Sequence, residues 1–174
     1  MTNELELFKA IEGLNIEKVK ELIQQGVNIN KAKNKYRPKY TPIHTASICT
    51  YKEPVKISQS IALLQLLIDN GADVNLRNDD LETPLFESLF SSTSIIKILI
   101  ENGAKINLQN IRGQTPLHLI CGFNGCGKVD VLKLLLDNGA DVFVKDFKRQ
   151  TPLQLAMETE KSAIIELLLE YGAT

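Results

Sequence analysis

The sequence has no excess of charge of either sign, and this excludes one broad class of function. It contains 20 Lys and Arg residues against 21 Asp and Glu, which gives a net charge of −1 at pH 7. Proteins that bind nucleic acid or anionic membranes through bulk electrostatics need a marked positive charge. We therefore expect neither partner, unless a local patch provides the attraction.

Cysteine is also scarce, and this argues against a secreted scaffold stabilised by disulfides. The three residues Cys49, Cys121 and Cys126 are an odd number at unrelated spacings, and no Asn-x-Ser/Thr sequon occurs. The first ten residues carry Glu4 and Glu6 where a secretory signal would be basic. The prediction is a cytoplasmic or otherwise intracellular protein with reduced thiols; delivery into a host cell stays open.

Long hydrophobic runs are absent as well. The most apolar stretch, residues 61–68, is interrupted by Gln65 and is far shorter than the roughly 20 residues that a membrane-spanning helix needs. The composition, with 44% hydrophobic and 24% charged residues, is that of a folded domain. The sequence therefore predicts a globular chain that does not cross a membrane.

What the chain does contain is an internal repeat. Thr-Pro dipeptides begin at Thr41, Thr83, Thr115 and Thr151, at separations of 42, 32 and 36 residues. A second marker of the type Gly-Ala-Asp-Val-Asn begins at glycines 26, 71, 103, 139 and 172, with separations of 45, 32, 36 and 33 residues. Two markers that agree on one period predict a protein built from stacked repeats.

Each repeat is expected to be a pair of helices. Thr followed by Pro is a typical helix start, because Thr caps free amide groups and Pro needs no donor at the first helical position. A second helix then carries an apolar block such as residues 95–100 or 131–136. The marker glycine that follows is expected to end this helix in a left-handed conformation. Because the blocks are apolar on nearly all sides, they need neighbours on both sides.

These features resemble the ankyrin repeat family: the Thr-Pro-Leu-His opening at Thr115–His118, the helix pair, the Gly-Ala-Asp-Val-Asn exit and the period near 33 residues. The resemblance covers nearly the whole chain. It implies an all-α solenoid of stacked helix-turn-helix units with projecting finger loops, forming a single domain over residues 1–174. The expected repeats are residues 4–29, 30–74, 75–106, 107–142 and 143–174, the first of them a capping repeat that lacks Thr-Pro.

Two departures from the pattern affect the predicted structure. The second repeat contains an insertion at residues 48–59, in which Pro54 favours a partly looped conformation. The glycine found in the fourth finger as Gly113 is replaced by Leu81 in the third finger and Arg149 in the fifth. Since residues with side chains disfavour positive φ, these two fingers are expected to be rearranged.

No catalytic, metal-binding or cofactor-binding site is predicted. Residues 122–128 match the G-x-x-x-x-G-K part of a phosphate-binding loop, but Val129 provides no hydroxyl for Mg²⁺ and the preceding segment is predicted to be a helix. His118, Cys121 and Cys126 offer three soft ligands where structural zinc sites use four. The resemblance assigns His44 and His118 to bonds with neighbouring backbone. The chain is predicted not to be an enzyme.

Charge is unevenly distributed along the chain. Residues 31–60 sum to +6, whereas residues 1–30 sum to −2, 61–110 to −4 and 111–174 to −1. The second finger alternates Lys31, Lys33, Lys35, Arg37 and Lys39 with two tyrosines. A solvated surface explains such a run, and an acidic protein partner is the functional alternative. One loop beside an acidic repeat would bind nucleic acid only weakly.

In the ankyrin family the fingers and first helices bind other proteins, and the resemblance places the variable positions of that surface in this chain. The expected partner-binding residues are Lys35, Tyr36, Arg37, Lys39 and Tyr40 in the second repeat; Arg77, Asp79, Asp80, Glu82 and Phe90 in the third; Gln109, Ile111, Arg112, Gln114 and Phe123 in the fourth; and Lys145, Phe147, Lys148, Gln150 and Glu158 in the fifth. Ile111 and Phe147 are apolar residues at finger tips, where either a partner or a neighbouring finger is expected to cover them.

The sequence thus predicts a monomeric, non-catalytic module that binds a protein partner, with the basic second repeat facing an acidic surface. A targeting or adaptor fragment of a larger effector or regulatory protein is the alternative. A nucleotide-binding or catalytic protein that uses residues 122–128 is a weaker one.

Overall fold

A computed structural model describes residues 3–32, 39–48, 53–122 and 128–174. All regular elements in these ranges are α-helices, as the sequence predicts. They are α1 (Asn3–Glu12), α2 (Ile16–Gln24), α3 (Pro42–Ser47), α4 (Pro54–Asp69), α5 (Pro84–Ser88), α6 (Thr93–Glu101), α7 (Pro116–Gly122), α8 (Val129–Asp137), α9 (Pro152–Glu158) and α10 (Ser162–Glu170).

The chain divides into two compact units, Met1–Ala104 and Lys105–Thr174. The division falls next to the predicted end of the third repeat at residue 106. We refer to them as the N-terminal and C-terminal units. The single domain expected over residues 1–174 stays a prediction.

The N-terminal unit contains three helix pairs, α1–α2, α3–α4 and α5–α6, and each pair packs on the next. The first helices form one layer, in which α3 contacts both α1 and α5, and the second helices form another, in which α4 contacts α2 and α6. Leu22, Ile43, Leu64 and Leu99 are fully buried between the layers. Stacking therefore supplies the cover that the apolar helices need.

The C-terminal unit repeats this arrangement with two pairs, in which α7 packs on α9 and α8 on α10. Ile120, Val131, Leu135 and Leu168 form its buried core. Leu136 is buried, whereas Leu169, its counterpart in the last repeat, is 53% exposed. The last helix pair thus leaves apolar surface uncovered.

The marker glycines end the second helices, as predicted. Gly71, Gly103 and Gly139 have φ angles of +88°, +85° and +85°. The amide of each following alanine donates to the carbonyl of a buried leucine in the helix, as in Ala104 N to Leu99 O at 2.9 Å. This left-handed stop turns the chain sharply out of the helix and towards the next finger.

The insertion in the second repeat is more helical than Pro54 suggested. Pro54 is the first residue of α4, and the helix runs for 16 residues against nine in α6, α8 and α10. Proline is accepted there because the first helical turn needs no amide donor at that position. The second half of the insertion therefore lengthens a helix, and residues 49–52 lie outside the described ranges.

Candidate functional site

Three fingers share one hydrogen-bonded scaffold built on a buried Asn or Asp. These residues, Asn78, Asn110 and Asp146, are 4%, 2% and 5% exposed. In each finger the side-chain Oδ1 accepts two backbone amides, two and four residues further on, at 2.9–3.1 Å. The same residue's amide donates to the carbonyl four residues on, which closes the loop. Asn and Asp suit this position because their short side chains reach nearby amides.

The predicted rearrangement of the third and fifth fingers is wrong. Leu81 and Arg149 adopt φ angles of +58° and +66°, close to the +74° of Gly113. Their amides donate to the carbonyls of Asn78 and Asp146 at 3.0 and 2.8 Å, as Gly113 does to Asn110 at 2.9 Å. The scaffold therefore imposes the left-handed conformation, which costs a residue with a side chain about 1 kcal/mol or more.

Two buried histidines connect a first helix to the finger of the next repeat. In His118, Nδ1 accepts from the amide of Thr115 at 3.2 Å, so the proton lies on Nε2, which donates to the Gln150 carbonyl at 3.2 Å. His44 makes the same bonds to Thr41 and to the Glu82 carbonyl. Burial lowers the pKa of His44 to about 4 and lowers that of His118 as well. Both imidazoles are neutral connectors, as the resemblance implied.

The third finger carries acidic groups, one of which pairs with an exposed lysine. Lys39 Nζ lies 3.7 Å from Asp79 Oδ1, and Arg77 Nε donates to the Leu81 carbonyl at 2.9 Å, inside its own finger. Asp80 and Glu82 are half-buried beside them. The third finger is thus acidic, and the side chains of Arg77 and Asp79 already have partners within the protein.

A carboxyl group behind this finger has an unusual protonation equilibrium. Burial raises the pKa of Glu87 to about 7, and the negative charges of Glu82 and Asp80 act in the same direction. The hydroxyl of Tyr40 hydrogen-bonds to this carboxyl and opposes the shift, while Asn78 Nδ2 lies 3.5 Å from its Oε1. Near neutral pH the Glu87 carboxyl is therefore partly protonated in the folded protein.

The fourth and fifth fingers are joined by backbone and side-chain bonds. The amide of Phe147 donates to the Arg112 carbonyl at 3.0 Å, and Gln109 Nε2 donates to the carbonyls of Gly113 and Lys145 at 2.6 and 3.1 Å. The Phe147 ring lies so close to Gly113 that an ideal Cβ there would be 2.6 Å from ring Cδ1. Phe147 packs on the neighbouring finger, yet 74% of its surface stays exposed.

Basic side chains of the second repeat are partly neutralised by nearby carboxylates. Lys31 Nζ lies 2.8 Å from Glu4 Oε1, and Lys56 Nζ lies 2.7 Å from Glu53 Oε2, in addition to the pair between Lys39 and Asp79. Exposed pairs of this kind contribute little to stability but reduce the local field. Lys33, Lys35, Arg37 and Lys52 lie outside the described residues.

Cys121 and the histidines, the described groups with a possible catalytic or ligand role, are buried within the fold. Cys121 is a free thiol at the buried end of α7, and burial raises its pKa to about 12, so it is a poor nucleophile. Residues 3–32, 39–48, 53–122 and 128–174 contain no group of three or more His, Cys, Asp or Glu side chains placed to hold a metal ion. The phosphate-loop match at residues 122–128 follows a helix, α7, and its residues 123–127, with Cys126, lie outside the described ranges.

A comparison with protein families places these features in a known group. The family model described as ankyrin repeats (3 copies) matches residues 55–146 and, in a second overlapping match, residues 90–174. The chain belongs to the ankyrin repeat family. No curated protein matches the sequence. Ankyrin repeats are generally protein-binding modules and are typically non-catalytic.

Among the helices in the described part of this ankyrin repeat chain, none is both long enough and apolar enough to span a bilayer.

The structure distributes the expected partner-binding residues of the ankyrin repeats over three groups. Those with exposed side chains are Lys39, Arg77, Phe90, Ile111, Arg112, Lys145, Phe147, Lys148 and Glu158. Those that are half-buried are Tyr40, Asp79, Asp80, Glu82, Gln109, Gln114 and Gln150. Lys35, Tyr36, Arg37 and Phe123 lie outside the described residues. Partner binding by all of these residues stays a prediction.

Sequence reasoning missed two features of the ankyrin repeats. Asn78, Asn110 and Asp146 each precede the Thr of Thr-Pro by five residues, and this spacing could have identified the finger scaffold. The second feature is an asparagine ladder: Asn107 Nδ2 donates to the Gly139 carbonyl, and its Oδ1 accepts the Asp141 amide, both at 2.9 Å. Phe143 occupies the corresponding position in the last repeat and is 58% exposed.

Proposed function

We propose that this ankyrin repeat chain is a non-catalytic intracellular module that binds a protein partner through its finger loops and first-helix face. The observation that supports this most directly is the exposure of large apolar side chains on rigid fingers. Ile111 and Phe147 are 46% and 74% exposed, while the backbone beneath them is held by hydrogen bonds. Apolar anchors on a preorganised loop bind a partner with little ordering cost.

The free, buried thiol of Cys121 supports the intracellular setting, since it makes no disulfide. The basic residues of the second repeat are proposed to attract an acidic surface of the partner. Replacing Lys35 and Arg37 by Ala is then expected to slow association, more at low salt than at high salt, and to leave folding unchanged. Equal slowing at both salt concentrations would contradict electrostatic attraction.

Affinity capture from cell lysates tests the protein-binding function. The wild-type chain, the double variant Ile111→Ser with Phe147→Ser, and the matched control Leu169→Ser would be used as bait. Leu169 is a comparably exposed apolar residue, 53% accessible, on α10. A protein captured by the wild type and the control, but lost with the finger variant, is the expected result. Equal capture by all three folded proteins would refute binding through these fingers.

A further inference from the structure

The fifth finger, residues 143–150, presents three basic side chains without partners among the described residues. Lys145, Lys148 and Arg149 are exposed, and their side chains form no hydrogen bond or ion pair within the described ranges. By contrast, Lys31, Lys39 and Lys56 in the N-terminal unit each have a carboxylate partner. Together with Asp146, these three cations give residues 143–150 a net charge of +2.

The acidic groups in and beside this finger form no ion pair with its three cations among the described residues. Asp146 is buried, and its Oδ1 accepts the amides of Lys148 and Gln150. Glu158 Oε1 accepts a 2.5 Å hydrogen bond from Gln150 Nε2. Neither carboxylate forms an ion pair with the three cations among the described residues, so these cations stay available to an acidic group from outside the protein, although Asp146 and Glu158 keep their own charges.

Arg149 occupies a conformation that favours glycine. Its φ angle is +66°, and the equivalent residue of the fourth finger is Gly113 at +74°. The Asp146 scaffold holds this conformation in place, and strained positions of this kind cluster at binding sites. Arg149 places a cation at this position, and its side chain forms no hydrogen bond or ion pair among the described residues.

Apolar surface accompanies this charge. Phe147 is 74% exposed, and Met157, at 58%, lines an open depression of about 380 Å³ together with Lys148, Arg149, Gln150, Gln154 and Glu158. An open depression of this kind suits the side chains of an extended chain better than an enclosed small molecule. The depression thus offers a thioether and two cationic groups, and the exposed Phe147 precedes Lys148 in the sequence.

We propose that the fifth finger and the depression beside it bind an acidic peptide segment of the partner, in which a large hydrophobic side chain stands next to Asp or Glu residues. This inference rests on the proposed protein-binding function and specifies the chemistry of the partner. The hydrophobic side chain packs on Phe147 and Met157, and the carboxylates pair with Lys145, Lys148 and Arg149. The guanidinium of Arg149 is suited to form two parallel hydrogen bonds to one carboxylate. This geometry favours Asp and Glu side chains as its partners.

A phage-displayed library of random short peptides, selected against the full chain, tests the proposal. The expected enriched peptides contain Asp or Glu beside Phe, Leu or Trp. A synthetic peptide of the enriched sequence should lose roughly tenfold or more in affinity with Phe147→Ala and with Lys148→Glu. The charge-matched control Lys97→Glu, on the exposed side of α6, should bind as the wild type does.

Replacement of the strained residue gives a second, independent readout. Arg149→Gly is expected to raise the melting temperature, because glycine relieves the positive φ, and to weaken peptide binding, because a cation is lost. Leu81→Gly in the third finger should raise stability in the same way without changing affinity. Lower stability of Arg149→Gly, or unchanged affinity, would overturn the role given to this residue.

Other results would overturn the proposal as a whole. These are enrichment of peptides without acidic residues, binding that survives Phe147→Ala and Lys148→Glu, failure to enrich any peptide, or tighter binding of a single-stranded oligonucleotide than of the selected peptide. None of these removes the proposed protein-binding function, which the lysate capture tests separately through Ile111 and Phe147 together.

Discussion

Glu87 shows how one buried side chain couples the stability of this protein to pH. Its pKa rises from 4.5 to about 7 because burial disfavours the charged form. The folded state therefore holds a proton that the unfolded state releases between these two values. It follows that the contribution of Glu87 to stability is complete below about pH 4.5 and is lost as the pH rises through about 7.

We expect Glu87→Gln to remove this dependence, since the amide stays neutral at all pH values. The free energy of unfolding of the variant, relative to the wild type, should increase as the pH is raised from 4.5 to 7. Denaturant unfolding at several pH values measures this difference. His44 and His118 titrate in both proteins, so their effect cancels in the comparison. A difference independent of pH would contradict the raised pKa.

Gly113 is required at the residue scale for two separate reasons. Its φ angle is +74°, and a Cβ would lie 2.6 Å from the Phe147 ring and 2.8 Å from the Phe147 amide nitrogen. Gly139 shares the positive φ, at +85°, but has no heavy atom within 4 Å of the same position. Comparing alanine substitutions at Gly113 and Gly139 therefore separates the energetic cost of backbone strain from the cost of steric overlap.

Gly139→Ala is expected to lower the free energy of unfolding by about 1 kcal/mol through backbone strain alone. Gly113→Ala should cost clearly more, because the Phe147 ring and the joined backbone must also move. Urea denaturation of the two variants provides the test. Equal losses would show that the fourth and fifth fingers separate without cost.

At the scale of the element, the asparagine ladder links consecutive helix ends in both units. Asn30 bonds to the Gly71 carbonyl and the Asp73 amide, as Asn107 does to Gly139 and Asp141. Phe143 cannot make these bonds, so the corresponding hydrogen bonds to the Gly172 carbonyl and from the Thr174 amide are missing. The last repeat thus lacks a connection that the earlier repeats have.

Phe143→Asn should restore this connection and stabilise the last repeat by about 1 kcal/mol, since a hydrogen bond adds roughly 0.5–1.5 kcal/mol net. Hydrogen exchange of the Thr174 amide should slow, because Thr174 occupies the place of Asp141. Asn107→Ala is the opposite control and should speed exchange at Asp141. Unchanged exchange at Thr174 would show that the ladder does not extend to the end of the chain.

The elements themselves could be predicted well from sequence, because Thr-Pro starts and glycine stops are local signals. The exact length of α4 could not, since Pro54 suits either a loop or a first helical turn. Leu81 and Arg149 were misjudged because local propensity disfavours positive φ, whereas the buried Asn78 and Asp146 impose it through two hydrogen bonds each. Among candidate site residues, exposure of Phe147 was predictable, but its contact with Gly113 depends on tertiary packing.

At the scale of the whole molecule, stability comes from stacked repeats and is therefore concentrated in residues shared by neighbouring helices. Leu135 is fully buried in the C-terminal unit, whereas the adjacent Leu134 is only half-buried. The sequence pattern does not distinguish the two leucines of this apolar block, whereas the structure assigns the larger loss of stability to Leu135. Leucines within one hydrophobic block thus contribute unequally to the stability of the fold.

Leu135→Ala is expected to lower the free energy of unfolding by about 2–5 kcal/mol, through lost burial and the cavity that remains. Leu134→Ala should cost clearly less, because water already reaches part of its side chain. Thermal and chemical denaturation of both variants measure the difference. Equal costs would mean that Leu134 is covered in solution.

The finger scaffold has a consequence for how this protein evolves. Because Oδ1 of Asn78, Asn110 and Asp146 accepts backbone amides of the loop, loop shape is set largely without the outward side chains. Positions such as 111, 112, 147 and 148 can accept mutations that change the partner while the fold is inherited intact. Natural drift at these positions would create new specificities, and a library randomised there would contain mostly folded members.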